Sequence, residues 1–147
     1  MITVRQLMEE TGHSLCAIGS DDTVFSALQL MATENVGAVM VEDKGHIVGI
    51  FTERDYARKI ILKGRCSLDT KLSEIMTHEM ITVHPDQTLE ECMTLMTKWH
   101  IRHLPVMSEG SLVGMVSMRD VVQSILNMKE EQIEDLRNYI FGEEFPK

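Results

Sequence analysis

Two stretches of this chain place a hydroxyl and a carboxylate three residues apart, just behind a glycine: GIFTERD (49–55) and GMVSMRD (114–120). A carboxylate accepts both hydrogen bonds of a vicinal diol, as the acidic residue of dinucleotide-binding folds does. A helix starting at Thr52 or Ser117 would add free N–H groups that favour an anion. Gly49 and Gly114 would let a ligand or another backbone approach closely. The same spacing also serves as a capping box, with Asp55 or Asp120 reaching back to its own helix start. On one copy alone, capping is the simpler reading. Arg102 and His103 form a second chemical pair. A guanidinium fork suits phosphate, and an imidazole titrates near neutral pH. Their bland alternative is a solvated turn after a helix that ends near His100. His100, His103 and Cys92 do not make a metal site, because the two histidines straddle a helix-to-strand switch and nothing completes four ligands. No nucleophile elbow or Gly-rich phosphate loop is present, so no catalytic residue is assigned and the expectation is not an enzyme.

The whole chain sets bounds on these sites. Of 147 residues, 14 are basic and 23 acidic, a net charge of −9 without a basic block, which argues against nucleic-acid binding. No apolar run reaches the roughly 18 residues of a membrane span, and MITVRQLMEETG is not a signal peptide. A soluble, cytoplasmic protein with no membrane partner is expected. Cys16, Cys66 and Cys92 share no metal-type spacing and suggest no disulfide framework. Cys92 reads as a core thiol, and most of the 12 methionines, Met31, Met93 and Met96 among them, read as packing residues.

The elements that position these groups come in duplicate. Residues 20–60 align with 85–125 at a constant shift of 65, with identities that include Asp21/Asp86, Thr23/Thr88, Leu30/Leu95, Gly45/Gly110, Gly49/Gly114, Arg54/Arg119 and Asp55/Asp120. A weaker match, VRQLM (4–8) with LSEIM (72–76), precedes each unit, followed by SLCAI (14–18) or EMITV (79–83). Each copy reads as strand, helix, strand, strand, helix. In the second, 80–83 is a short strand. Thr88-x-x-Glu91 is a capping box ahead of Leu89, Cys92, Met93, Met96 and Trp99 at helical spacing. HLPVM and LVGMV then flank a hairpin turn at Gly110. One copy has too few strands and large apolar side chains to be stable alone. The expected fold is therefore α+β: two intimately packed β-α-β-β-α repeats, residues 1–65 and 66–128. The stretch 62–71 connects them, and an amphipathic tail, 129–147, carries Ile133, Leu136 and Ile140 on one face.

The repeated pattern resembles the CBS domain, which occurs in pairs called Bateman modules. It is most similar to small free-standing CBS-pair proteins of bacteria and plant organelles, through FTERDYARKI, IRHLPV and LRNYIFG. This resemblance implies binding of adenosine-containing ligands (AMP first, then NAD(H), ADP, ATP or S-adenosylmethionine) in clefts between repeats, with no catalytic cofactor. Carried over by position, one cleft would join Thr52 and Asp55 to Ile101, Arg102, His103, Leu104 and Pro105, with Ile81, Thr82 and Val83. The other would join Ser117 and Asp120 to Val36, Gly37, Ala38 and Val39, with Ala17 and Ile18. The aspartates would hold the ribose and the first cleft would hold phosphate, since the second has no charge at Gly37 and Ala38. Duplication together with the resemblance favours the ligand reading of Asp55 and Asp120 over capping. The resemblance further implies a homodimer and a regulated protein partner of unknown identity, signalled by conformational change. A dimerisation scaffold without nucleotide is the alternative.

Overall fold

The long helices of this protein start at hydroxyl side chains. Thr3, Thr23, Thr88 and Ser117 each accept a backbone N–H from the third helical residue of α1 (Val4–Thr11), α2 (Val24–Glu34), α5 (Leu89–Trp99) and α6 (Met118–Phe141). The structure is a computed structural model that describes residues 1–12 and 15–142; Ser14 of the first short segment and the tail beyond Gly142 lie outside the described residues. Between the helices, β1 (Ala17–Gly19) runs parallel to β2 (Ala38–Asp43), which pairs antiparallel with β3 (His46–Thr52). In the second repeat β4 (His103–Ser108) pairs antiparallel with β5 (Ser111–Ser117). Both hairpins turn through two residues with positive φ, Lys44-Gly45 (51° and 80°) and Glu109-Gly110 (51° and 77°), the geometry that matches strand twist. The chain leaves β3 through a one-turn helix α3 (Glu53–Asp55) that continues as a π-helix over Tyr56–Ile61. A short α4 (Leu72–Ile75) leads into the second repeat.

The expected strand at 80–83 is reduced to a single parallel bridge, Val83 with Val106. The cause is one missing proton. In the first repeat Met40 donates its N–H to the Cys16 carbonyl at 2.8 Å. Pro105 stands at the equivalent position and has no N–H, so Ile81 cannot be held in that way. Pairing resumes only at Val83, which donates to Pro105 O at 3.0 Å and accepts from Met107 at 2.8 Å. The Thr88 box is also half made. Thr88 Oγ1 accepts from the Glu91 N–H at 3.2 Å, but the Glu91 carboxylate takes a bond from Gln87 Nε2 instead.

The leading segments are exchanged between the cores. Val4, Leu7 and Met8 of α1 are buried with Val83, Leu89, Cys92, Met96, Leu104 and Val121 of the second repeat. Leu72, Ile75 and Met76 are buried with Val24, Ala27, Met31, Val39, Phe51 and Ile60 of the first. Backbone bonds fix the first exchange, from Val4 to Gln87 O at 2.8 Å and from Leu89 to Ile2 O at 3.0 Å. A third cluster, Ala38, Met40 and Ile50 packed by Met80, Leu112 and Met115, joins the two sheets. Neither repeat has a complete core without the other, which makes the pair one cooperative unit. Trp99 departs from the expected stripe: it is half exposed, because the last turn of α5 outruns the core, and Lys98 lies 5.2 Å from its ring centroid. The helix that starts at Ser117 and the tail helix are one continuous α6, whose Leu126, Ile133, Leu136 and Ile140 are all more than half exposed. Among the described residues no helix is long and apolar enough to cross a membrane.

Candidate ligand-binding cleft

A cleft of about 530 Å3 opens where the end of β3 faces the start of β4, within the range of small-molecule sites. Thr52, Glu53, Arg54 and Asp55 line it from the first repeat, and Ile101, Arg102, His103 and Pro105 from the second. Thr77, Glu79, Met80 and Ile81 close it from the segment after α4. That segment is pinned to β3 by paired backbone bonds, from Ile50 to Thr77 O at 3.0 Å and from Thr77 to Ile50 O at 2.9 Å.

Asp55 is held on several sides. Its Oδ2 accepts from the Thr52 N–H at 3.0 Å while its own N–H donates to Thr52 Oγ1 at 3.1 Å, which completes a capping box. Its Oδ1 meets Lys59 Nζ at 3.2 Å and accepts from Thr77 Oγ1 at 3.3 Å. Lys59 also donates to Ile75 O at 2.8 Å and to Thr77 Oγ1 at 3.2 Å. The carboxylate is thus oriented before any ligand arrives, and its capping role is a fact of the fold. Asp120 differs. Its N–H donates to Ser117 Oγ at 3.2 Å, but among the described residues its carboxylate makes no return bond.

His103 sits half-buried over Gly37. A Cβ added to Gly37 would lie 3.2 Å from His103 Cε1, 3.3 Å from Nε2 and 2.7 Å from Glu53 Oε1, so the bare backbone there is what admits both side chains. Burial holds the His103 imidazole below its ordinary pKa; Glu53 and Asp120 pull it up, and Arg102 pushes it further down. Arg54 reaches across the cleft and donates to the His100 carbonyl. His100 itself ends α5 in the left-handed conformation (φ 54°).

Of the first predicted set, Thr52, Asp55, Ile81, Ile101, Arg102, His103 and Pro105 line this cleft. Val83 and Leu104 do not; their side chains are buried in the second core, since alternate residues of a strand face opposite sides. Thr82 is exposed and outside the lining. In the second set, Gly37 lines the first cleft instead, beneath His103. Val39 is fully buried in the first core, and Ala38 is buried at the join between sheets. Ile18 and Val36 pack against the first core, while Ala17 is exposed and pairs with Met40. Ser117 caps α6 three residues before Asp120. Ile50, Glu53, Arg54, Thr77, Glu79 and Met80 are lining residues that the sequence reading did not place. Arg54 carried a usable signal, because it is one of the residues identical in both copies. Met80 opens the expected 80–83 strand, and Glu79 lies in irregular backbone where no periodicity points anywhere.

Comparison with known proteins identifies the family and the fold. The CBS domain model matches twice, over residues 4–62 and 72–127. A mitochondrial CBS domain-containing protein of Arabidopsis thaliana, CBSX3, is 42% identical over 151 residues, covering 95% of this chain and 72% of the plant protein. The solved structure of a signal-transduction protein with CBS domains from Burkholderia ambifaria, described as putative, superposes with a TM-score of 0.82 at 42% identity, covering 85% of this chain and 94% of that one. A CBS domain pair solved with methylthioadenosine and S-adenosyl-L-methionine shares the fold, with a TM-score of 0.77 at 23% identity, covering 87% of this chain and 98% of that one. With two matched copies spanning most of its length, the chain belongs to the CBS domain family.

Proposed function

We propose that this protein is a regulatory module that binds an adenosine nucleotide in the cleft between its repeats and passes the binding on to a protein partner as a change of shape. One observation carries the reading. A single cleft gathers a helix-start hydroxyl and carboxylate, Thr52 and Asp55, from one repeat and Arg102 with His103 from the other. Asp55 takes the ribose diol, and Arg102 and His103 take the phosphate. Adenine lies along Ile81, whose backbone carbonyl is left without the bond that Met40 gives Cys16 in the first repeat. AMP is the first ligand of this reading, with NAD(H), ADP, ATP and S-adenosylmethionine as relatives. The adenosyl ligands of the fold relative described above support the class. The role is regulatory and not catalytic. Signalling requires different affinities in two shapes. A ligand that bridges both repeats supplies them, because it contacts groups whose spacing depends on how the repeats sit.

The exposed apolar stripe of α6, Leu126, Ile133, Leu136 and Ile140, supports a homodimer in this reading. It is also what favours the alternative, a dimerisation scaffold in which Asp55 serves only as cap and ion-pair partner. Thermal unfolding with AMP, ADP, ATP, NAD+, NADH, S-adenosylmethionine and GMP decides between them. A ligand at 100 times its Kd adds about 2.7 kcal/mol, or roughly 5–10 °C for a chain of this length. A selective shift with adenosine ligands is expected; no shift with any of them overturns the nucleotide reading and leaves the scaffold.

A further inference from the structure

Beside the cleft, and sharing Lys59 with Asp55, the chain forms an open groove of about 510 Å3. Lys59, Lys63, Arg65 and His78 line it with a single carboxylate, Glu74. This concentration of basic groups stands out in a chain of net charge −9. Glu74 is already satisfied by the Lys71 N–H at 2.8 Å and Arg65 at 2.8 Å, which together hold its carboxyl below the usual range. Lys59 divides its ammonium among Ile75 O, Thr77 Oγ1 and Asp55 Oδ1. Lys63 and His78 are exposed and make no hydrogen bond or ion pair among the described residues. Lys59 and Arg65 each face a carboxylate, Asp55 and Glu74, which leaves Lys63 as the groove's cation without a partner among the described residues.

The backbone that presents these groups is unusual. Lys59 lies in the π-helix Tyr56–Ile61, whose last turn closes with a bond from Leu62 to Ala57 O at 3.1 Å. Such turns are rare and recur at functional sites. The chain then bends at Gly64, with φ 66°, and brings Lys63 and Arg65 to the same rim.

We propose that this groove is a second binding site, for a phosphate or phosphoryl oxyanion, coupled to the adenosine cleft through Lys59. The binding stands on the groove alone, while the coupling rests on the reading of Asp55 given above. An oxyanion offers acceptors to the Lys63 ammonium and to a ring N–H of His78, and it competes with Asp55 for Lys59. Lys59 gives up one of three acceptors in the exchange. Asp55 Oδ1 keeps its bond from Thr77 Oγ1 but gains a lone pair for a ribose hydroxyl, so an anion in the groove tightens nucleoside binding, and by linkage the nucleoside tightens the anion.

The test is a titration of the full chain followed by backbone amide resonances, with inorganic pyrophosphate as one probe and adenosine as the other. Pyrophosphate should shift residues 59–65 and 74–78, and Lys63→Glu should weaken it about tenfold or more. Lys63 is exposed, so this substitution leaves the core intact. Shifts confined to 101–103, or no shift at all, would overturn the site. A groove response to ATP but not to free pyrophosphate would make it the tail of the nucleotide cleft, and would overturn a separate site too. Adenosine alone reports the cleft and pyrophosphate alone reports the groove, so either reading can fail without the other. For the coupling, saturating pyrophosphate should lower the Kd for adenosine at least twofold, and an unchanged Kd refutes it.

Discussion

Gly49 and Gly114 occupy the same place in the two copies, yet alanine should separate them. A Cβ at Gly49 would stand 2.8 Å from the Thr77 carbonyl oxygen, 2.8 Å from Met76 Sδ and 3.0 Å from Met76 Cγ. The carbonyl cannot retreat, because it is half of the bonded pair that holds Thr77 against Ile50. Overfilling a packed site costs about 1–3 kcal/mol, and a backbone obstruction places Gly49→Ala at or above the top of that range, which the unfolded-chain gain common to any Gly→Ala brings to a net loss of about 2–3 kcal/mol. A Cβ at Gly114 would meet only Met8, with Sδ at 2.5 Å, Cγ at 3.7 Å and Cε at 4.0 Å. A thioether side chain can change rotamer, and losing a glycine lowers the entropy of the unfolded chain, a gain of about 0.4–1 kcal/mol. Gly114→Ala should therefore stay within about 1 kcal/mol of the parent. At about 2–4 °C per kcal/mol, Gly49→Ala melts roughly 4–12 °C lower and Gly114→Ala within about 4 °C. Far-ultraviolet circular dichroism during heating, repeated in urea, reads both. Equal losses, or a larger loss at Gly114, would refute the reasoning that backbone and side-chain obstructions differ. Gly49→Ala should also weaken nucleotide binding, since it displaces Thr77 from Asp55 and Lys59.

Asp55→Ala removes a cap and a charged hydrogen bond and should cost about 2–3 kcal/mol in urea unfolding. Asp55→Asn keeps an acceptor for Thr52, so it should lose about 1 kcal/mol or less yet weaken adenosine about tenfold by calorimetry; full affinity in Asp55→Asn would remove the carboxylate from the ribose role. Arg102→Ala should weaken AMP at least tenfold more than it weakens adenosine, and equal losses would make Arg102 structural. His103 has a folded pKa below its unfolded value, near 6.5. Its neutral form therefore contributes stability that is present above that unfolded value and lost as pH falls through the folded one. Urea midpoints should drop on acidification, and His103→Gln should flatten the drop; an identical slope in the variant would exclude His103 as its source. A fragment of residues 1–65 should remain unfolded, since Leu72, Ile75 and Met76 complete its core, and a cooperative melt of that fragment would contradict the exchange.

The duplication made most of the fold legible, because a constant shift of 65 converts weak signals into paired ones. Caps at Thr23, Thr88 and Ser117 and the turns at Gly45 and Gly110 follow from side-chain chemistry and glycine stereochemistry that act locally. The exchange of α1 and α4 was not legible. The spacing of Val4, Leu7 and Met8 says that a face must be buried, but a periodicity names no partner. In the cleft, Thr52, Asp55, Arg102 and His103 stood out by type and position, whereas Thr77 and Glu79 come from chain without regular structure. Gly37 has a place in this cleft that its type does not announce, because its role is an absence: it has no side chain, and only the three-dimensional arrangement shows what fills that space.

A protein made by doubling one unit starts with two equal halves and has to make them unlike. At position 105 the difference comes down to a single hydrogen atom. With methionine at position 40, the first half closes its short strand onto itself, zipped from Cys16 onward. With proline, the second half withholds one bond, and the Ile81 carbonyl is left without the donor that Cys16 has. Divergence between duplicated halves can thus act through the main chain as well as through the side chains that line a cleft.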